Sequence, residues 1–213
     1  MLAMISAPRR AQRGFTLLEA MVVIAIIGVL MAVGIPNMRD WLGNTAANGA
    51  AQFYAEGFRL AKGQALANNS RSRLVFTENA QSGQLDWQVD VCFPVAGDQC
   101  DAGSKNWSDV GEPATAPSHI DVKTSSVFRS SAGLPVPSAV RVTPDGNARA
   151  VYFTELGWVD GGKPALTKLA FAPGTVEKDA EPGFPPTAVV LTLAGAVVVC
   201  RTDLQAGDSR SCP

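Results

Sequence analysis

From Phe15 to Ile35 the chain runs apolar for about 21 residues, with Glu19 as its only charge. At about 1.5 Å per residue such a run makes a helix close to the ~30 Å hydrocarbon thickness, which predicts a membrane-spanning helix over 15–36. Apolar and small residues then continue at helical spacing. Leu42, Ala46, Phe53, Gly57 and Leu60 form one stripe, with Tyr54, Phe58, Ala61 and Ala65 beside it. The pattern predicts an amphipathic continuation over 37–69 that packs on a head domain. Asn68, Asn69 and Ser70 supply its stop, since their side chains favour caps and turns. Gly34 and Pro36 predict a bend or an unwound stretch, because proline cannot donate the usual helical hydrogen bond.

After Ser70 the period changes. Short β-branched or alternating runs occur at 72–78, 86–92, 119–123, 139–143, 150–154 and across 187–200, separated by Gly, Pro, Asn and Asp. One long hydrophobic helix followed by short strands predicts an α+β architecture, with the helix covering an antiparallel β-sheet head over 70–213. "TPDGNAR" (143–149) reads as a turn or hairpin, since Asp-Gly tolerates the positive φ such turns need. The stretches 93–118 and 172–186 read as surface loops.

The 213 residues carry a formal net charge of −1 with 46% hydrophobic residues. That balance argues against general disorder and against a strongly basic nucleic-acid binder. The charge is uneven: Arg9, Arg10 and Arg13 precede the apolar run, so the remainder is more acidic. The positive-inside bias then puts the N-terminus in the cytoplasm and the head across the membrane. A cleavable secretory signal shares the basic start, but this run is long and lacks a clear small-x-small cleavage site. Cys92, Cys100, Cys200 and Cys212 fall in two local pairs in turn-rich surroundings. They suggest two disulfides in an oxidising compartment, although four cysteines allow three connectivities.

Glu19 is the anomaly. A carboxylate inside a membrane helix is costly and needs a partner, and the apolar run contains no cation. The most economical partner is the N-terminal amine of another chain, provided that cleavage between Gly14 and Phe15 exposes it.

The string "RGFTLLEAMVVIAIIGVLMAVGIPNMRDW" resembles the class III signal and anchor helix of type IV pilins and type II secretion pseudopilins, and the likeness runs from Arg13 to about Ala67. It implies that residues 1–14 are a leader, that a prepilin peptidase cuts after Gly14, and that Phe15 is then methylated. It implies that Glu19 docks against the amine of a neighbouring subunit, and that the helix is held in the inner membrane before joining a filament, with the head in the periplasm. Within the family, "FYAEGFRLAKGQALANNSRSRLVF" and the C-terminal "VVLTLAGAVVVC" are similar to the minor pilin and pseudopilin branch that includes FimT, FimU and GspH. The partners implied are other major or minor pilins or pseudopilins, with Cys92–Cys100 and Cys200–Cys212 as the favoured disulfides.

Other chemistries find less support. His119 is the only histidine, and no Walker loop, G-x-S-x-G or H-E-x-x-H motif occurs, so an enzyme is not expected. Asp98, Asp101, Asn106 and Asp109 share one loop and could suit calcium, but not in EF-hand order, and no cofactor is expected. Some FimT-type minor pilins capture DNA through a C-terminal G-R-x-R motif; the corresponding stretch here is Gly195-Ala196-Val197-Val198. The tail offers Arg201 and Arg210 beside Asp203 and Asp208, while Arg71 and Arg73 solvate the helix–strand junction, so nucleic-acid binding is not expected. Trp87, Trp107 and Trp158 read as core residues ahead of interface anchors.

These readings converge on a minor type IV pilin that functions in assembly. A minor pseudopilin of type II secretion is the first alternative and a DNA-capturing minor pilin the second.

Overall fold

A computed structural model describes residues 15–116, 123–174 and 184–213; the side chains of Val33, Ile35, Pro36, Asn37, Arg39 and Asp40 are outside the description. One helix, α1 (Leu17–Ala67), is followed by ten strands. These are β1 (Arg71–Glu78), β2 (Leu85–Cys92), β3 (Ala114–Thr115), β4 (Lys123–Thr124), β5 (Val127–Arg129), β6 (Val140–Pro144), β7 (Ala150–Phe153), β8 (Lys168–Pro173), β9 (Thr187–Leu191) and β10 (Val197–Arg201). The chain divides into two compact units, Met1–Arg39 and Asp40–Pro213.

The fold class is α+β, but the head carries two four-stranded antiparallel sheets where one was expected. Their orders are β5-β2-β1-β7 and β10-β9-β8-β6, with β3-β4 as a separate two-stranded ribbon. The Asp-Gly signal makes its turn, with Gly146 at φ 71°, but not a hairpin. Strand β6 before it pairs with β8 and β7 after it pairs with β1, so this turn carries the chain from one sheet to the other. Strand β8 is absent from the sequence-based reading, although Leu169 and Phe171 alternate inward with the period of a half-buried strand. The expected run 119–123 falls mostly outside the described residues, with Lys123 beginning β4.

Within the head unit, α1 buries Ala47, Ala50, Ala51, Tyr54, Ala55, Phe58, Ala61 and Ala65. This face is rotated from the expected stripe: Leu42 is exposed, while Phe53 and Leu60 sit only at the edge of the core. The reason is steric. Alanines let the helix backbone approach the sheets closely, and the two large rings fill the space between them. The Tyr54 ring lies 6.1 Å from Phe76 in the first sheet and 5.9 Å from Phe171 in the second, and its hydroxyl accepts the Leu85 N–H at 3.1 Å. Gly57 makes room for Trp87, since a Cβ there would stand 3.1 Å from the indole. The indole N–H donates to the Phe53 carbonyl at 3.1 Å.

The helix is not unwound at Gly34–Pro36. It ends through Asn69, whose left-handed φ of 44° turns the chain. The Ser70 N–H then bonds the Ala65 carbonyl at 3.0 Å and the Asn69 N–H the Leu66 carbonyl at 3.3 Å, the paired bonds of a Schellman cap. The Ser72 hydroxyl donates to the Ala61 carbonyl at 2.6 Å and so locks β1 beneath the last turns of the helix.

Two buried ionisable groups contribute to the pH dependence of the head. Burial pushes the Asp86 carboxyl up, but bonds from the Ser131 N–H and from the Asn79, Ser131 and Ser130 side chains outweigh it, and its pKa ends below the usual carboxylate range. Its contribution is therefore present above the unfolded carboxylate pKa and lost as pH falls through the lower folded value. Burial pushes the Tyr54 hydroxyl up to about 12, so its contribution is present below the unfolded pKa near 10 and is lost as pH rises toward the folded value. Tyr54→Phe is expected to destabilise the protein by about 1–3 kcal/mol at neutral pH, because the buried Leu85 N–H loses its acceptor. The same variant should also lose part of the decline in urea midpoint between about pH 10 and 12. Urea titrations of the full chain at pH 7, 10 and 11.5 measure both effects.

Candidate assembly site

Helix α1 begins with a local device that the sequence reading passed over. Thr16 is its N-cap, and the hydroxyl accepts the Glu19 N–H at 3.2 Å. The spacing Thr16-x-x-Glu19 is the capping-box pattern, and this was the available signal. Glu19 thus stands in the first turn, where the helix dipole favours a negative charge. Among the described residues its carboxylate has no ion pair or side-chain hydrogen bond. Phe15 is 81% exposed just before the cap, whereas Gly14 lies outside the described residues.

Around this turn the helix is apolar on every side. Leu17, Leu18, Met21, Ile24, Val29 and Leu30 are all more than 60% exposed, and Val22, Val23, Ile26 and Ile27 are also exposed. A helix apolar all round is stable only when something apolar surrounds it. Among the described residues no helix is long and apolar enough to cross a membrane. The anchor expected over 15–36 includes Val33, Ile35 and Pro36, whose side chains are outside the description.

The remaining candidate residues are mostly committed to holding the head together. Arg73 does not solvate a junction: its guanidinium donates to the buried Asp90 at 2.8 Å and lies 4.4 Å from the Trp107 ring centre. Arg71 pairs with Asp160 at 3.4 Å. In the tail Arg201 pairs with Asp203 and Arg210 with Asp208, and each arginine holds its partner's carboxyl below the usual carboxylate range. These four cations each have an anion already.

The oxygen-rich loop does not converge on one point. Asp98 accepts bonds from Ser104 and Asn106, Asp101 faces Lys163 at 3.3 Å, and Asp109 takes bonds from Gln88 and the Val110 N–H. Among the described residues no cluster of His, Cys, Asp or Glu could hold a metal ion. His119 lies outside the described residues.

Disulfides join Cys92 to Cys100 and Cys200 to Cys212. The first closes the loop over a small second core with Trp107 and Tyr152, whose rings stand 5.9 Å apart. The second ties the tail to β10, where the Arg201 N–H bonds the Arg210 carbonyl and the Cys212 N–H bonds Arg201 in return. Trp87 and Trp107 are buried, but Trp158 is 61% exposed, against the core role expected for it. The reason is the turn before it. The Thr154 N–H bonds the Trp158 carbonyl at 2.8 Å and Gly157 takes φ 73°, which puts the indole outside.

The family defined by a prokaryotic N-terminal methylation motif matches residues 9–35. Over 36 residues the chain is 53% identical to a fimbrial protein of Pseudomonas aeruginosa, covering 17% of this chain and 23% of that one. A fimbrial protein of Dichelobacter nodosus is 35% identical over 89 residues, or 41% of this chain and 46% of the relative. A type IV major fimbrial protein, FimA, of the same organism is 37% identical over 73 residues, or 34% and 36%. The matches thus span less than half the length of these relatives. No solved structure matches. A long N-terminal helix on antiparallel sheets, opened by a methylation motif, defines a pilin-like architecture. Over that segment the chain is similar to proteins carrying the N-terminal methylation motif and to type IV fimbrial proteins.

The Arg73–Asp90 pair offers a direct test of the commitment of these charges. Arg73→Met leaves a buried carboxylate without its cation and is expected to destabilise the protein by about 3–5 kcal/mol, read as a lower urea midpoint in the full chain.

Proposed function

We propose that the chain is a minor structural subunit of a type IV pilus. Prepilin peptidase cuts after Gly14 and Phe15 is methylated. The apolar run over 15–36 holds the subunit in the inner membrane, with the N-terminus cytoplasmic and the head in the periplasm, until it joins the filament or its assembly-priming complex. Other pilins are its partners. The observation that carries this reading is the Glu19 carboxylate, which has no partner among the described residues and stands on an apolar helix four residues past Phe15. A carboxylate entering an apolar filament core must find a cation, and the amine exposed on a neighbouring subunit supplies one without adding a charge to the run.

The minor role rests on the likeness of the helix end and of the C-terminal strand and cysteine to the minor pilin branch. Arg71, Arg73, Arg201 and Arg210, the cations the sequence offered for nucleic acid, are each paired, which favours a structural role over DNA capture at those positions.

Glu19→Ala is expected to leave cleavage at Gly14 intact while lowering the amount of the chain in sheared pili by at least about tenfold, equivalent to a loss of ~1.4 kcal/mol per subunit contact. Immunoblots of sheared filaments and whole cells measure both quantities. Unchanged incorporation would overturn the role assigned to Glu19. Normal piliation with lost protein secretion in a deletion strain would move the chain to the pseudopilins.

A further inference from the structure

Beside the small second core lies a recess of about 390 Å³ with apolar walls from Ala150, Tyr152 and Pro164. Its frame is fixed by the backbone. Asp101 directly follows the Cys92–Cys100 disulfide, and its carbonyl accepts the Trp107 indole N–H at 2.8 Å. Strand β7 supplies Ala150 and Tyr152, and the segment after it is bonded back to that strand. The Asp160 N–H donates to the Tyr152 carbonyl at 2.9 Å and the Leu166 N–H to the Ala150 carbonyl at 3.0 Å. Arg149 precedes the strand, and its carbonyl accepts the Phe76 N–H at 2.8 Å. The recess is therefore formed in advance of any ligand, and its volume lies within the roughly 300–1,000 Å³ range of small-molecule sites.

Three charged side chains line the recess, and they are unequally satisfied. Lys163 is partly buried and fully engaged. It donates to the Cys100 carbonyl at 2.8 Å, faces Asp101 at 3.3 Å and Asp160 at 3.7 Å, and lies 4.7 Å from the Tyr152 ring centre. Asp101 thus has a share of one cation, met through a single carboxylate oxygen, and its side chain is 76% exposed. Arg149 is exposed, and among the described residues its guanidinium has no carboxylate, only a long 3.5 Å bond to the Ala148 carbonyl. An anion alone would meet Asp101 and a cation alone would meet Arg149, so neither complements this recess. A molecule carrying both charges on an apolar body does.

We propose that the recess binds a compact apolar zwitterion, with a terminal ammonium at Asp101, a terminal carboxylate at Arg149 and an apolar body against Ala150, Tyr152 and Pro164. Free apolar amino acids and short apolar peptides share this chemistry. The guanidinium suits a carboxylate because its planar donors match the two oxygens. Asp101 keeps one carboxylate oxygen that Lys163 does not engage. Both charges face solvent, so each orients the ligand and contributes modestly, while burial of the apolar body supplies most of the affinity. The site lies wholly within the head, and nothing in it depends on Glu19 or on assembly.

Isothermal titration of the purified full-length chain in detergent micelles with leucyl-leucine is expected to give saturable binding at about 1 mM or tighter. Blocking one terminus at a time reads each charge. N-acetyl-leucyl-leucine and leucyl-leucine amide should each bind about fivefold more weakly, or worse. Arg149→Gln should weaken leucyl-leucine by a similar factor without further weakening the amide. Asp101→Asn should do the same without further weakening the acetylated form. L-Leucine in the same titration assigns the source: comparable affinity points to free amino acids, and binding of the dipeptide alone points to peptides. No saturable binding of either zwitterion up to about 10 mM, equal affinity for the blocked forms, or variants that weaken every ligand alike would each overturn the site. Both substituted side chains are exposed, and retention of the two disulfides on a non-reducing gel confirms that the variants have folded.

Discussion

The head depends on one packing arrangement, the Tyr54–Phe58 face of α1 laid across the seam between two sheets. Neither four-stranded sheet buries both of its faces alone. The helix closes them together by sending Tyr54 between Phe76 of one sheet and Phe171 of the other. Burying a large apolar side chain contributes about 1.5–3 kcal/mol, so these rings and their neighbours supply a large share of what holds the two sheets to one helix. The alanines on either side matter as spacers, because bulk there would lift the rings out of the seam. Gly57 serves the same end by admitting the Trp87 indole against the helix backbone.

Polar groups within this packing are satisfied with care. Among the described residues no buried side-chain nitrogen or oxygen lacks a partner. Asp90 shows how this is done: Arg73, Gln88 and Ser126 all donate to it, and Arg73 in turn stacks on Trp107 above the Cys92–Cys100 loop. A buried carboxylate is destabilising unless paired and bonded on several sides, and here those bonds also tether the long loop to β1 and β2. Charges that looked available for nucleic acid or metal are consequently part of the scaffold.

The N-terminal segment follows the opposite logic, with its demands left unmet inside the chain. Thr16 satisfies the helix start, but the side chains from Phe15 to Met31 are exposed and the Glu19 carboxylate has no partner among the described residues. An apolar surface of that extent and an unpaired acid within it are requirements for surroundings that the chain does not provide. That is a physical basis for reading this segment as an assembly element.

The sequence by itself determined the elements whose signal is local. The helical spacing through Ala65, the Asn-Asn-Ser stop and the alternating runs of β1, β2, β6, β7 and β9 are each set by periodicity or turn chemistry within a few residues. The methylation motif is legible for the same reason, since it is a short contiguous string within residues 9–35. Tertiary structure decided what depends on distant residues. Whether "TPDGNAR" joins partners or crosses between sheets depends on β1 and β8, which compete for the strands on either side of it. Which helical stripe is buried depends on the depth of the seam, so Tyr54 and Phe58 won over Leu42. Trp158 is exposed because a bonded turn, not its hydrophobicity, sets its direction. Short-range patterns specify elements, whereas pairing, burial and the fate of each charge follow from energies shared among residues far apart in the chain.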